Sequence, residues 1–317
     1  MFRCQRTVGY QIVTLCVLIP RNLLKMRLGR SRRRHQPPHD YLMTQRIRIA
    51  AAQPPVSESP AANGEAIRDL MRRARADGAR LIQFPEGAMC GYVDEPLAAD
   101  QEAVRRQLRL TAGLAGELGL WVVVGAAHYL TPPHWPHNSL YVISDRGQLA
   151  ARYDKRMCSR TELSQRYTPG VEPLVFEADG FRFGCATCIE INFPEIFLDY
   201  RERNVDCVLF STFSDDPIFE ILARGHAAAH NYWVSISVTA EGSTAMPAAV
   251  IGPHGYPLAR CPADGTPSLA TTDLDRGDPA LDGALNKARP WRTLARTADH
   301  YRARQVDDQR SSDQTRF

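Results

Sequence analysis

Three segments of the chain place a side chain able to do chemistry just after an apolar run that reads as a buried strand. That is the position at which α/β folds expose functional groups. In LIQFPEGAMCGY (81–92), Glu86 follows a strand that a proline closes. A carboxylate at the mouth of an apolar layer suits a general base; the competing reading is a turn acid. In ARYDKRMCSRTELSQRYTPG (151–170), Lys155 ends a hairpin strand, with Glu162 seven residues on. A lysine held there supplies a fixed positive charge for an oxyanion; the competing reading is an exposed edge lysine. In FGCATCIEINFPEIF (183–197), a strand runs into Cys188, and Pro194-Glu195 opens a helix. Proline suits the first helical turn and glutamate its positive end. A cysteine at such a strand end near a lysine can be held as a reactive thiolate, although buried cysteines are more often structural.

Other constellations compete less well. Cys185 and Cys188 form a C-x-x-C, but strand alternation points the two side chains to opposite faces, which argues against a redox pair. A structural zinc site needs four ligands, and no second C-x-x-C is present. His134 and His137 lie in the loop PPHWPHN. His226 and His230 are four apart on a helix, but alanines fill the gap where a zinc protease carries its glutamate. Both pairs read as surface or helix-packing residues, and no metal is expected. Neither a G-x-S-x-G elbow nor a P-loop occurs.

The elements that must position these residues alternate between periods of two and 3.6. Strands are expected at 46–52, 81–84, 120–129, 181–187, 205–211, 233–239 and 268–274. Hairpins are expected at 139–155 and 248–260, and helices at 61–77, 101–118, 194–203 and 218–230. Apolar runs buried on both faces fit a sheet covered by helices or stacked on a second sheet. The reading is an α/β chain with one domain over 44–280, a basic extension over 1–43 and a C-terminal tail over 281–317. The tail allows a short helix near Trp291, and its last residues, 307–317, read as disordered.

The chain has 317 residues, 44% of them hydrophobic, and a formal charge of +4. Residues 1–42 alone carry nine arginines and lysines against one acid, leaving 30 basic and 34 acidic residues in the remainder. The body therefore has no basic surplus for nucleic acid. The apolar run at 10–20 is too short to span a bilayer. A disordered or mis-started extension is expected, with Met43 opening a cytoplasmic chain; the alternative is an anchoring or targeting leader.

Together, the order, spacing and flanks of the three segments resemble the nitrilase, or carbon–nitrogen hydrolase, superfamily. The resemblance spans about 46–275. It rests on FPEGAMCGY at Glu86, YDK before Lys155, and C-x-E-x-x-F-P-E from Cys188. Glu162 sits where many members carry a second glutamate, and Arg224 with Asn231 resembles a later R…EN segment, with His230 at the usual glutamate. The chain departs at Glu190, often aspartate, at Asn192, often arginine, and at Met157-Cys158, often His-Leu. The resemblance implies a four-layer α-β-β-α sandwich, a homodimer or higher oligomer, and no cofactor. It also implies a Glu-Lys-Cys triad. Cys188 is the nucleophile, Glu86 the base, and Lys155 the oxyanion donor together with the Ile189 N–H. Glu162 assists. The expected activity is hydrolysis of a non-peptide carbon–nitrogen bond in a small linear amide through a thioester, releasing ammonia or an amine. Nitrilase, N-carbamoyl-amide hydrolase and a non-catalytic binding protein are the alternatives. Tyr92 and Phe213 are expected to line the pocket, with Trp135, Tyr167 and Phe219 narrowing it.

Overall fold

Strand β1 (Arg46–Gln53) shows how the layers arise. Ile47, Ile49 and Ala51 point into one apolar cluster, and Ala50 and Ala52 into another. Successive strand residues face opposite sides, so a strand apolar throughout must be covered on both. The computed structural model describes residues 45–92, 100–315 and 317; the expectations for the basic extension fall outside them.

Two six-stranded sheets share one plan. In the first, β1, β2 (Leu81–Gln83) and β3 (Trp121–His128) run parallel. Strand β12 (Ser268–Asp275) pairs antiparallel with β1. On the other side, β4 (His137–Ile143) and β5 (Leu149–Asp154) continue antiparallel from β3. In the second sheet, β7 (Phe181–Thr187), β8 (Cys207–Ser211) and β9 (Trp233–Ser237) run parallel. Strand β6 (Val175–Ala178) flanks β7, while β10 (Ala249–Ile251) and β11 (Pro257–Arg260) extend from β9.

The sheets stack face to face, and helices cover both outer faces. Ile67, Leu70 and Met71 of α1 (Pro60–Ala76) pack with Val104 and Leu114 of α2 (Gln101–Leu118) on Ile82, Val122 and Val124. The other outer face receives α4 (Pro194–Glu202) and α5 (Ile218–His230) through Phe197, Tyr200, Ala223 and Ala227. A Cβ on Gly184 of β7 would meet the Tyr200 ring at 2.6 Å, so glycine lets α4 lie directly on the strand. The result is the expected α/β four-layer α-β-β-α sandwich. Hydroxyls join the inner faces: Ser237 Oγ donates to the Ala52 carbonyl (2.6 Å), and Ser211 Oγ to the Phe84 carbonyl (2.9 Å).

Two stretches differ from the sequence expectations. The loop after Lys155 contains a helix, α3 (Arg160–Gln165), because Ser159 and Glu162 form a reciprocal capping box. The C-terminal segment is more helical than expected: α6 (Arg289–Ala295) is the short helix expected near Trp291, and α7 (Ala298–Arg302) and α8 (Gln309–Ser312) follow it. Leu281 and Leu285 anchor its start in the core. The short α8 lies in the stretch expected to be disordered, and the Asp308 carboxylate caps it. No helix among the described residues is long and apolar enough to cross a membrane.

The loop after β2 rests on β3. A Cβ on Gly125 would lie 2.3 Å from the Pro85 carbonyl oxygen and 2.7 Å from the Gly87 nitrogen. Gly125→Ala therefore forces backbone apart and is expected to lower stability by about 1–3 kcal/mol. Gly113→Ala, inside α2 with open space around it, is expected to leave stability unchanged or raised. Urea unfolding of both variants checks this; a wild-type midpoint for Gly125→Ala contradicts it.

Candidate active site

Glu86 leaves the end of β2, Lys155 the end of β5, and Cys188 the end of β7. The first two come from one sheet and the third from the other, so stacking the sheets brings them together. Glu86 is fully buried. Its Oε1 accepts from Lys155 Nζ at 2.8 Å and from Asn138 Nδ2 at 2.7 Å, and its Oε2 from the Phe213 backbone N–H at 3.1 Å. Lys155 Nζ also donates to Glu162 Oε1 at 2.7 Å. The second oxygen of Glu162 accepts the Ser159 N–H at 2.6 Å, and the Tyr92 hydroxyl donates to the same carboxylate. The capping box that starts α3 therefore also fixes the carboxylate that holds Lys155.

This arrangement sets the charges. Burial opposes the Lys155 ammonium, but the Glu86 charge, with that of Glu162, outweighs it and holds its pKa well above the ordinary lysine value. Burial raises the Glu162 carboxyl, yet the neighbouring Lys155 charge and hydrogen bond bring it below its usual range. Burial pushes the Cys188 thiol up to about 12, and the Glu86 charge adds to this. Lys155 and a hydrogen bond from Thr212 pull the other way without reversing the shift. The resting sulfur is a thiol and not the thiolate expected from a nearby lysine, because burial, with the Glu86 charge, outweighs that lysine's field.

Cys188 adopts φ +51, in the left-handed region that side chains other than glycine seldom occupy. It starts a 3₁₀ turn, Cys188–Asn192. Ile189 is the second residue of that turn, where an N–H has no acceptor inside the helix. A residue that sequence reasoning noted only as a departure holds this geometry. Glu190 is buried and accepts the Thr187 N–H at 2.7 Å, the Arg156 N–H at 2.7 Å, the Met157 N–H at 3.0 Å and the Tyr153 hydroxyl at 2.8 Å. It ties the turn at Cys188 to both sides of Lys155. Burial pushes its carboxyl up against the pull of these donors. Asn138 was also missed; it reaches Glu86 and, at 3.4 Å, Glu162. No local motif marks it, since both partners are distant in sequence.

Aromatic rings surround the site. Tyr92 lies 5.6 Å from Phe213 and 6.1 Å from Tyr167, centroid to centroid, and Arg166 stands 5.1 Å over the Tyr92 ring. Phe219 does not join them. It lies on α5 and packs edge-on against Phe210 in the core, which corrects its expected place at the pocket. Trp135 is exposed in the loop before β4. Cys185 is fully buried with a free thiol, as is expected of an inward strand residue. His226 stacks on Phe197 at 3.8 Å and donates from Nε2 to the Ile191 carbonyl at 3.0 Å, so it packs α5 against the turn after Cys188. Among the described residues no group of three or more His, Cys, Asp or Glu side chains is placed to hold a metal.

The chain is similar to known proteins over this same region. Among solved structures it resembles an amidase from Nesterenkonia sp. AN1, captured with fluoroacetamide's acetamide moiety added at its active-site cysteine. The TM-score is 0.67 at 23% identity, covering 78% of this chain and 96% of that one. A butyramide complex of the same amidase gives a TM-score of 0.68 at 23% identity, covering 81% and 96%. Among curated proteins, a hydrolase of Mycobacterium tuberculosis is 28% identical over 174 residues, 51% of this chain and 59% of that protein. The deaminated glutathione amidase of Yersinia enterocolitica is 24% identical over 170 residues, 47% and 58%. The chain thus spans less than two thirds of the length of these curated relatives. The carbon–nitrogen hydrolase family model matches residues 48–280, the span that carries both sheets and all three strand-end residues, and the chain belongs to that family.

Proposed function

We propose that the chain is a thiol amidase that hydrolyses small linear amides through a thioester on Cys188. The observation that carries this reading is the buried Lys155 ammonium bonded to two carboxylates beside a cysteine on a left-handed turn. Glu86 takes the Cys188 proton as Sγ bonds to the amide carbon. The carbonyl π electrons move to oxygen, and the Lys155 ammonium and the Ile189 N–H receive that charge. Glu86 returns the proton to the leaving nitrogen, the C–N bond breaks, and ammonia or an amine departs. Glu86 then takes a proton from water, hydroxide attacks the thioester, and the acid leaves as Sγ regains the proton. Glu162 keeps Lys155 charged and aimed without touching the reacting atoms. The ring cluster of Tyr92, Tyr167 and Phe213 supports a small acyl group, as do the short amides seen in the Nesterenkonia amidase.

Ammonia release from a panel of amides, nitriles and ureides tests the reading. Release is expected from short amides, to vanish in Cys188→Ala, and to fall about 10²–10³-fold or more in Lys155→Ala. Release from nitriles or ureides alone contradicts the amide assignment, and a Lys155→Ala enzyme above half the wild-type rate contradicts the oxyanion role.

The resting thiol gives a second expectation. An ordinary cysteine titrates near about 8.5, whereas Cys188 is pushed up to about 12. Its alkylation by iodoacetamide, followed by peptide mass spectrometry, is expected to accelerate steadily as pH rises through 9 and 10. A plateau near neutral pH contradicts a thiol at rest.

A further inference from the structure

The C-terminal helices cross the end of α4 with more arginine than nearby acid. Arg201, in the last turn of α4, is only 4% exposed. Its Nη2 donates to the Arg289 carbonyl at 3.1 Å and to the Thr293 hydroxyl. Its Nε is enclosed and has no partner. Burial first, then the Arg289 and Arg296 charges, pull its pKa down to about 10 against the opposing effect of Tyr232.

The surrounding cations are not equivalent. Arg289 has Asp206 at 3.8 Å and the Val205 carbonyl at 3.0 Å. Arg292 donates to the Ala228 and Ala229 carbonyls and to Asn231 Oδ1. Among the described residues Arg296 reaches only the Nδ1 of His230, at 3.4 Å. Burial, followed by the Arg296 charge, pushes His230 down to about 4, so this ring is neutral at pH 7 and accepts from Arg296. Arg201 and Arg296 share a cavity of about 300 Å³ with Glu202, Asn204, Thr293 and Thr297. Glu202 is exposed there and pairs with neither arginine.

A buried guanidinium with no carboxylate paired to it among the described residues is costly unless a charged acceptor meets its remaining donors. Two guanidinium groups facing one cavity match the acceptor geometry of a small oxyanion. We infer that the cavity between the end of α4 and α6 is an anion site that takes a phosphate group, free or as a monoester, between Arg201 and Arg296. It lies at the opposite end of α4 from Pro194, the helix start that follows the Cys188 turn, and is separate from the amide-cleaving centre.

Calorimetric titration of the full chain with inorganic phosphate, at ionic strength matched with sodium chloride, tests this. One saturable site per chain is expected. Its affinity is expected to fall at least tenfold in Arg296→Gln, whose side chain is exposed and whose loss does not threaten folding. Arg201→Gln, checked by its melting curve, is expected to bind no phosphate. Arg105→Gln, at a cavity on the opposite side of the sandwich, is expected to bind as wild type. Phenyl phosphate in place of the free ion shows which form is accepted; binding of either supports the site. Absence of phosphate binding, or equal binding by wild type and Arg296→Gln, overturns the inference. So does a wild-type dimer that Arg296→Gln splits without phosphate binding, because a carboxylate of a second copy would then fill the cavity.

Discussion

Lys155 Nζ lies 2.8 Å from Glu86 and 2.7 Å from Glu162, and none of these side chains is more than 1% exposed. Moving an ion from water into such surroundings costs several kcal/mol, and removing one partner of a buried pair costs about 3–5 kcal/mol. The cluster therefore survives only if its members are placed almost without freedom. Its position in the fold meets that demand. Glu86 and Lys155 leave β2 and β5, which are separated in the sheet by β3 and β4. Asn138, on β4 between them, bonds to both carboxylates and holds their spacing. The Phe213 N–H reaches Glu86 from the second sheet, so the stacking of the sheets is itself part of the charge balance.

A third buried carboxylate does for Cys188 what Glu162 does for the lysine. Glu190 collects donors from both sides of Lys155 and from Thr187, just before Cys188. The cysteine is thus held in a left-handed conformation that it would not adopt alone. Fixing that turn also sets the Ile189 N–H, the second oxyanion donor in the proposed mechanism, before substrate arrives. The thiol stays protonated because burial and the Glu86 charge outweigh the pull of Lys155.

Much of this was legible in the sequence. The strand-end positions of Glu86, Lys155 and Cys188 followed from apolar runs ended by proline, a hairpin turn or a helix start. Covered sheets followed from strands apolar on both faces, as in β1 and β7. Lys155 carried a further signal: the sequence has only three lysines, Lys25, Lys155 and Lys287, against 36 arginines, and this one ends a strand. The S-x-x-E run at Ser159 to Glu162 encodes α3 directly and was read as loop. Asn138 could not be placed from local pattern, since its partners lie up to 52 residues away and only the sheet order brings them close, and Glu190 has one local partner, the Thr187 N–H, while its contacts on both sides of Lys155 come from the stacking of the two sheets. Phe219 shows the converse: it is expected at the pocket, but helical rotation on α5 turns it into the core.

The direct test of the account is the charge state of Lys155. Lysine-selective ¹⁵N labelling yields three side-chain signals, and Lys155→Met identifies the one in question. The account predicts that this Nζ stays an ammonium, with unchanged shift and slow proton exchange, as pH passes the ordinary lysine value of about 10.4. A Lys155 signal that titrates to the neutral amine below about 9 would contradict it, because the two carboxylates would then not hold the charge on which oxyanion stabilisation depends.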